Sequence, residues 1–268
     1  MLECVINVSE GRDLDRVARI AHSAGPSLLD VHSDPHHNRS VLTVLGEEAA
    51  RAVATAGIVG LDLRDHHGVH PRLGVVDVVP FVALDGSTDH DALAARDRFA
   101  RWLSDVHGVP CFLYGPERSL PDVRREAFRS LSPDLGPSAP HPRAGATAVG
   151  QRGVLIAFNL WLRDGDLTTA REIATAVRGP GIRALGLLVG ERLQVSMNLT
   201  DPERVGPADA ADRVAVLAAT RGTRVAGAEL VGLLPQAVLD AIPPDRWPEL
   251  DLHASRTIEA RRRAVKEP

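Results

Sequence analysis

The sequence predicts an α+β protein of two successive units, each ordered strand, helix, strand, strand, helix, strand. Three observations lead there. Apolar residues alternate with a period of two over short segments, they recur with helical spacing between those segments, and the same order appears twice along 268 residues. The expected subdomains are 1–150 and 151–268.

Residues 2–8 place Leu2, Cys4, Ile6 and Val8 on one face of a strand, which Ser9-Glu10-Gly11 ends. Asp13 can cap a helix with Leu14, Val17, Ala18 and Ala21 as apolar positions, stopped by Gly25-Pro26. Residues 28–32 read as a second strand, 33–38 as a polar turn and 39–45 as a third strand returning as a hairpin. Residues 47–61 are rich in Ala and Val and open on two acidic residues, which favours a helix despite Gly57 and Gly60. The β-branched run 75–83 is the fourth strand. The order recurs as strands 154–162, 184–189, 192–200 and 224–231, with helices 168–177 and 208–220. Between the halves lie a helix at 91–106, a short strand at 111–114, a helix at 122–131 and a Pro/Gly-rich stretch.

This order is the ferredoxin-like split βαβ arrangement, which packs both helices on one sheet face. In 192–200, Leu193, Val195, Met197 and Leu199 alternate with Gln194, Ser196, Asn198 and Thr200, giving a greasy face and a hydrogen-bonding face. Asn159 can join the polar face. Two such faces turned toward each other would line a groove; a solvent-washed sheet is the alternative.

Composition excludes several functions. Hydrophobic residues at 44% and charged residues at 25% suit a protein with a real core, while 3% aromatics disfavour base stacking. A net charge of −4 offers no field for a polyanion, and Arg261-Arg262-Arg263 reads as a solvated helix face. Cys4 and Cys111 stand alone in apolar stretches, as small core residues. The N-terminal residues lack a signal-peptide pattern and no apolar run approaches membrane-spanning length, so a cytoplasmic protein without nucleic-acid or membrane partners is expected.

Three segments carry candidate chemistry. Asp65-His66-His67-Gly68-Val69-His70-Pro71-Arg72-Leu73-Gly74 stands directly before a core strand. Pro71 disfavours helical backbone at His70, which a strand-entry loop can present to a cleft for proton transfer near neutral pH. An exposed loop histidine is the alternative. His32-Ser33-Asp34-Pro35-His36-His37-Asn38-Arg39 invites a zinc reading, but its spacing fits no compact metal motif, and no metal is expected. Arg39 at a strand start is a better holder of a carboxylate. The stretch 134–147, with Gly136, Pro137, Arg143, Gly145 and Thr147, matches neither a P-loop nor a dinucleotide fingerprint and otherwise reads as a linker.

At these residues the chain resembles the formiminotransferase family. The matching stretches include Glu3-Cys4-Val5, Ser9-Glu10-Gly11, Asn38-Arg39-Ser40-Val41, Gly68 with His70-Pro71-Arg72-Leu73-Gly74, Asp77-Val78, Gly136-Pro137, Gly145-Ala146-Thr147, Asn159, Gln194 to Leu199 and Glu229 to Leu233. They run in family order from residue 3 to about residue 235. The resemblance implies two such subdomains with sheets facing across a folate tunnel, a homodimer, and transfer of a formimino group from N-formimino-L-glutamate to N5 of tetrahydrofolate. It makes His70 the catalytic acid/base and the stretch around 136–145 the folate-binding loop, with Gly136, Pro137, Arg143, Gly145 and Thr147 as folate-binding candidates. Asn38, Arg39, Arg72, Asn159, Gln194, Ser196 and Asn198 become substrate-binding candidates. No cyclodeaminase half is expected. Val69 stands where the family commonly has Glu, and His67 where Lys or Arg is common. A silent folate-binding module and a transferase with another one-carbon donor are the competing readings.

Overall fold

In the computed structural model, residues 1–68 and 71–266 are described. The chain divides into two compact units, Met1–Gly153 and Val154–Pro268. Both are α+β.

The first unit runs β1 (Leu2–Val8), α1 (Leu14–His22), β2 (Leu28–Asp34), β3 (Arg39–Leu45), α2 (Glu47–Gly60), β4 (Val76–Ala83), α3 (Asp89–His107), β5 (Cys111–Tyr114), α4 (Leu120–Glu126) and β6 (Thr147–Gln151). Among the described residues these strands form one mixed sheet in the order β2-β3-β1-β4-β6-β5. β1 pairs antiparallel with β3 and β4, whereas β6 runs parallel to both β4 and β5. Alternation in β1 and β3 sends Cys4, Ile6, Val8, Leu42 and Val44 into a core with Val53 of α2 and Phe99 and Leu103 of α3. Asp13 caps α1 by accepting from the Arg16 amide, as its side-chain chemistry anticipates. The other face of β4–β6 carries a second cluster, Val78, Phe112, Tyr114 and Ala148, which Val123 of α4 covers.

Several expectations need correction here. β6 is an addition to the expected elements: the sequence reading gives only a Pro/Gly-rich stretch before the boundary at 150, and pairing between two parallel strands makes Thr147–Gln151 a strand. The helix expected at 122–131 is α4, starting earlier because Ser119 and Asp122 form a capping box. It also ends earlier, because Phe128 takes a positive φ of 59° and its amide bonds back to the Leu131 carbonyl. β2 extends through Ser33 and Asp34, and Leu14 is exposed while Ile20 fills its expected place in the core.

The second unit runs β7 (Ile156–Leu162), α5 (Leu167–Val177), β8 (Ile182–Val189), β9 (Arg192–Leu199), α6 (Pro207–Ala219), β10 (Val225–Val231), α7 (Gln236–Asp240) and α8 (Ile258–Lys266). The sheet order is β10-β7-β9-β8, antiparallel at every pairing. Phe158, Leu160, Val195, Met197 and Leu230 pack with Ile173 of α5 and Val214 of α6. Their odd–even neighbours Asn159, Gln194, Ser196 and Glu229 therefore lie on the face away from these helices. Arg261 to Arg263 lie on α8. No described helix is long and apolar enough to cross a membrane.

Candidate active site

A charged residue near the start of an apolar strand, Asp77 of β4, organises the strand entry of the first unit. β1 meets β4 through Asn7↔Val78 and Val8↔Val76, which leaves Asp77 as an extra residue between them. Such a bulge re-aims a side chain. Asp77 Oδ2 accepts from an Arg39 Nη at 2.9 Å and an Arg124 Nη at 2.7 Å, while Oδ1 accepts the Leu73 amide at 2.7 Å. Arg39 Nε also donates to Asn7 Oδ1, and the second Arg124 Nη to the Pro71 carbonyl. Asp77 is fully buried, whereas the two guanidinium side chains keep 16% and 20% of their surface. Two cations thus share one carboxylate and stay in reach of a ligand.

Burial works to raise the Asp77 pKa, but Arg39 and Arg124 outweigh it and hold the carboxyl below the usual range. Burial, together with neighbouring Arg124, pulls Arg39 down to about 10 against the opposing pull of Asp77. Both remain ionised at neutral pH.

The residues before His70 are tied to the β2–β3 turn. Asn38 adopts φ 49° and is buried; its Oδ1 accepts the Gly11 amide and its Nδ2 donates to the His67 carbonyl. His66 Nε2 lies 2.7 Å from the Asn38 carbonyl oxygen, and burial lowers the His66 pKa. Arg72 donates to the carbonyls of Gly68 and His66 at 3.1 and 3.0 Å, so it braces this loop. Glu10 Oε1 accepts the amides of Gly11, Arg12 and Asp13. A Cβ on Gly11 would stand 2.4 Å from the Asp34 carbonyl oxygen, so only glycine fits that approach. His70 itself, the expected acid/base, and Val69 lie outside the described residues. Their flanks are held: Gly68 by Arg72, Pro71 by Arg124, Leu73 by Asp77.

The stretch 136–147 divides into two parts. Gly136, Pro137 and Arg143 are exposed, with Arg143 Nε donating to Asp62. Gly145 and Thr147 are buried. Gly145 bridges Gly74 backbone to backbone, and the Ala146 amide donates to the Leu73 carbonyl. The Thr147 hydroxyl donates to the Val76 carbonyl inside the sheet. This segment therefore clamps the strand entry that follows His70.

Asp34 accepts the His36 and His37 amides and pairs with His37 Nδ1 at 3.0 Å. Burial opposes ionisation there, yet these bonds from His37 and His36 hold the carboxyl far below its usual range. Among the described residues no three His, Cys, Asp or Glu side chains gather as a metal ion requires.

In the second unit, Glu229 sits opposite Asn159, which sits opposite Ser196. Glu229 Oε2 accepts from Asn159 Nδ2 at 3.2 Å and from Gln194 Nε2 at 3.4 Å. Gln194 and Asn159 are buried, Ser196 is half-buried and Asn198 is exposed.

The sequence matches the family described as Formiminotransferase domain, N-terminal subdomain, over residues 1–152. The glutamate formimidoyltransferase of Streptococcus pyogenes serotype M1 is 34% identical over 89% of this chain and 90% of that protein. The chain belongs to the formiminotransferase family. The glutamate formimidoyltransferase of Thermoplasma acidophilum is 33% identical over 90% of each chain. The formimidoyltransferase-cyclodeaminase of Sus scrofa is 36% identical over 90% of this chain, which spans only 51% of that longer relative. Within this formiminotransferase chain, the candidates Asn38, Arg39, Arg72, Gly145 and Thr147 fall around one strand entry, and Asn159, Gln194 and Ser196 around one carboxylate. Sequence reasoning missed Asn7, Asp77 and Arg124 as site groups. A lone Asp within the run Val75 to Ala83 was the available signal for Asp77; nothing in the local pattern marks Arg124.

Proposed function

We propose that the protein transfers the formimino group of N-formimino-L-glutamate to N5 of tetrahydrofolate and releases L-glutamate. The observation that carries this reading is full-length similarity to glutamate formimidoyltransferases, 34% identity over 90% of such a relative. The guanidinium pair Arg39–Arg124 fits it: a substrate with two carboxylates needs a fixed cationic seat, and the shared Asp77 carboxylate holds the two arginines side by side.

In this proposal N5 attacks the amidine carbon to give a tetrahedral adduct, and His70 takes the N5 proton. His70 then returns that proton to the glutamate nitrogen as the carbon–nitrogen bond breaks, a shuttle suited to imidazole. Arg39 with Arg124 holds a glutamate carboxylate, and Arg72 keeps its place as a brace. Residues 136–147 bind folate along their exposed part, and both units are ferredoxin-like. The protein works as a cytoplasmic homodimer without a metal; two buried, unbridged thiols, Cys4 and Cys111, suit a reducing compartment.

The test measures L-glutamate released from N-formimino-L-glutamate with and without tetrahydrofolate. Release that requires tetrahydrofolate supports the transfer. Tetrahydrofolate binding with no release supports the silent binding module, which Val69 in place of the family's common Glu favours.

A further inference from the structure

The imidazole of His66 is tied at one nitrogen and bare at the other. Nε2 lies 2.7 Å from the Asn38 carbonyl oxygen, which only accepts, so this nitrogen carries the hydrogen. The neutral ring then leaves Nδ1 as an acceptor, and that atom is buried with no hydrogen-bond partner among the described residues. A proton placed there would make a buried cation whose new N–H has nothing to receive it. The surrounding charges do little to help. Arg72 from the same loop and Arg12 from the segment after β1 oppose the proton, while Glu10 favours it. Glu10 is already committed: its Oε1 accepts three backbone amides and its Oε2 lies 3.7 Å from an Arg16 Nη. At the β2–β3 turn, Asp34 pairs with His37 and Arg39 with Asp77.

The ring holds the turn on which residues 66–68 rest. Asn38, whose carbonyl it grips, also accepts the Gly11 amide on Oδ1 at 2.9 Å and donates Nδ2 to the His67 carbonyl at 3.1 Å. Gly68 lies so close to this turn that a Cβ would stand 2.4 Å from the His37 carbonyl oxygen. The two segments close as one unit around a titratable ring. We infer that His66 is a positioning residue that works only when neutral: as the Nε2–H tautomer it seats 66–68 on the β2–β3 turn, and a proton on Nδ1 unseats them. This rests on the proposed role of the neighbouring His70 and deepens it. The folded ring binds its proton less readily than an unfolded histidine, which titrates near about 6.5. The closure is therefore fully stable above that value and weakens as pH falls below it.

The experiment uses the full chain. NMR of protein labelled with 15N-histidine reads the tautomer and titration of His66. Hydrogen-exchange protection of the Gly11 and His66 amides, which donate to Asn38 Oδ1 and to the Leu63 carbonyl, is compared with that of β9 amides at pH 7.5 and pH 5. The variants are His66→Gln, whose amide N–H can stand where Nε2–H stands and does not titrate, and His66→Ala, which removes the donor. Wild type is expected to show the Nε2–H tautomer at pH 7.5. Its Gly11 and His66 protection is expected to fall at least tenfold by pH 5 while β9 holds. His66→Gln is expected to show less than a twofold fall, and His66→Ala low protection at both pH values. With N-formimino-L-glutamate and tetrahydrofolate, the loss of kcat between pH 7.5 and pH 5.5 is expected to be at least threefold smaller in His66→Gln than in wild type, which a merely structural histidine would not produce. An Nδ1–H tautomer, wild-type protection that ignores pH, or an equal fall in His66→Gln overturns the inference. Where His66→Gln does not fold, the wild-type tautomer and protection decide. Wild type without turnover removes the proposed transfer and leaves both NMR readouts to judge this inference.

Discussion

At the scale of single residues, Asp77 explains how two arginines stand side by side: its carboxylate offsets their mutual repulsion. Its carboxylate accepts Arg39, Arg124 and the Leu73 amide at once, so removing it disturbs both the proposed substrate seat and the strand entry. Asp77→Asn is expected to raise the KM for N-formimino-L-glutamate at least tenfold and to cost about 3 kcal/mol, since it leaves two partly buried cations without their shared carboxylate. Steady-state kinetics and urea unfolding check both. The sign of the pH effect follows from the depressed pKa of Asp77. The folded state binds this proton less readily than the unfolded chain, whose carboxyl titrates near about 4. The stabilisation is therefore present above that value and is lost as pH falls toward the folded pKa. Urea midpoints for wild type are expected to drop between pH 5 and pH 3, and Asp77→Asn to flatten that slope. Arg72, by contrast, holds the carbonyls of His66 and Gly68. Arg72→Met is expected to lower kcat through a loosened loop, with a smaller change in KM than Asp77→Asn.

At the scale of elements, the strand entry 71–76 and the segment 141–147 behave as one device. Gly74 packs where a Cβ would stand 2.3 Å from the Ala146 carbonyl oxygen and 2.4 Å from that of Ala144. Gly74→Ala is expected to destabilise the protein by about 1–3 kcal/mol, the usual cost of forcing atoms into a packed site. Hydrogen exchange is expected to locate the loosening in the amides of Val75, Gly145 and Ala146. This device also shows what the sequence could and could not reveal. β1 and β9 were legible because their apolar residues alternate along the strand, β3 because it returns after a polar turn, and α1 because Asp13 and Gly25-Pro26 bracket it. β6 was not: Thr147-Ala148-Val149-Gly150-Gln151 becomes a strand only between β4 and β5, through pairings whose partners lie far away in sequence. Arg39 was legible as a candidate carboxylate holder from its place at a strand start, and the carboxylate that the structure gives it is that of Asp77. Its partnership with Arg124 was hidden, because that contact depends on a bulge and on the seating of α4.

At the scale of the whole molecule, each unit carries its own apolar core: Ile6, Leu42, Phe81 and Phe99 in the first, Phe158, Ile173, Met197 and Val214 in the second. A chain of two cores need not unfold in one step. Residues 154–268 expressed alone are expected to fold as an α+β domain with a cooperative thermal transition, checked by circular dichroism; a non-cooperative melt would mean that its core needs the rest of the chain. The glutamate formimidoyltransferase relatives match 89–90% of the chain, and the central claim of the proposed function is that His70 moves the proton during formimino transfer to folate. One assay tests that claim most directly. Purified wild type and His70→Ala are mixed with N-formimino-L-glutamate and tetrahydrofolate, then acidified, and the absorbance of methenyltetrahydrofolate is read. The account expects a strong signal from wild type and at least a hundredfold slower formation with His70→Ala, tetrahydrofolate binding being retained. Equal rates for the two proteins would contradict it.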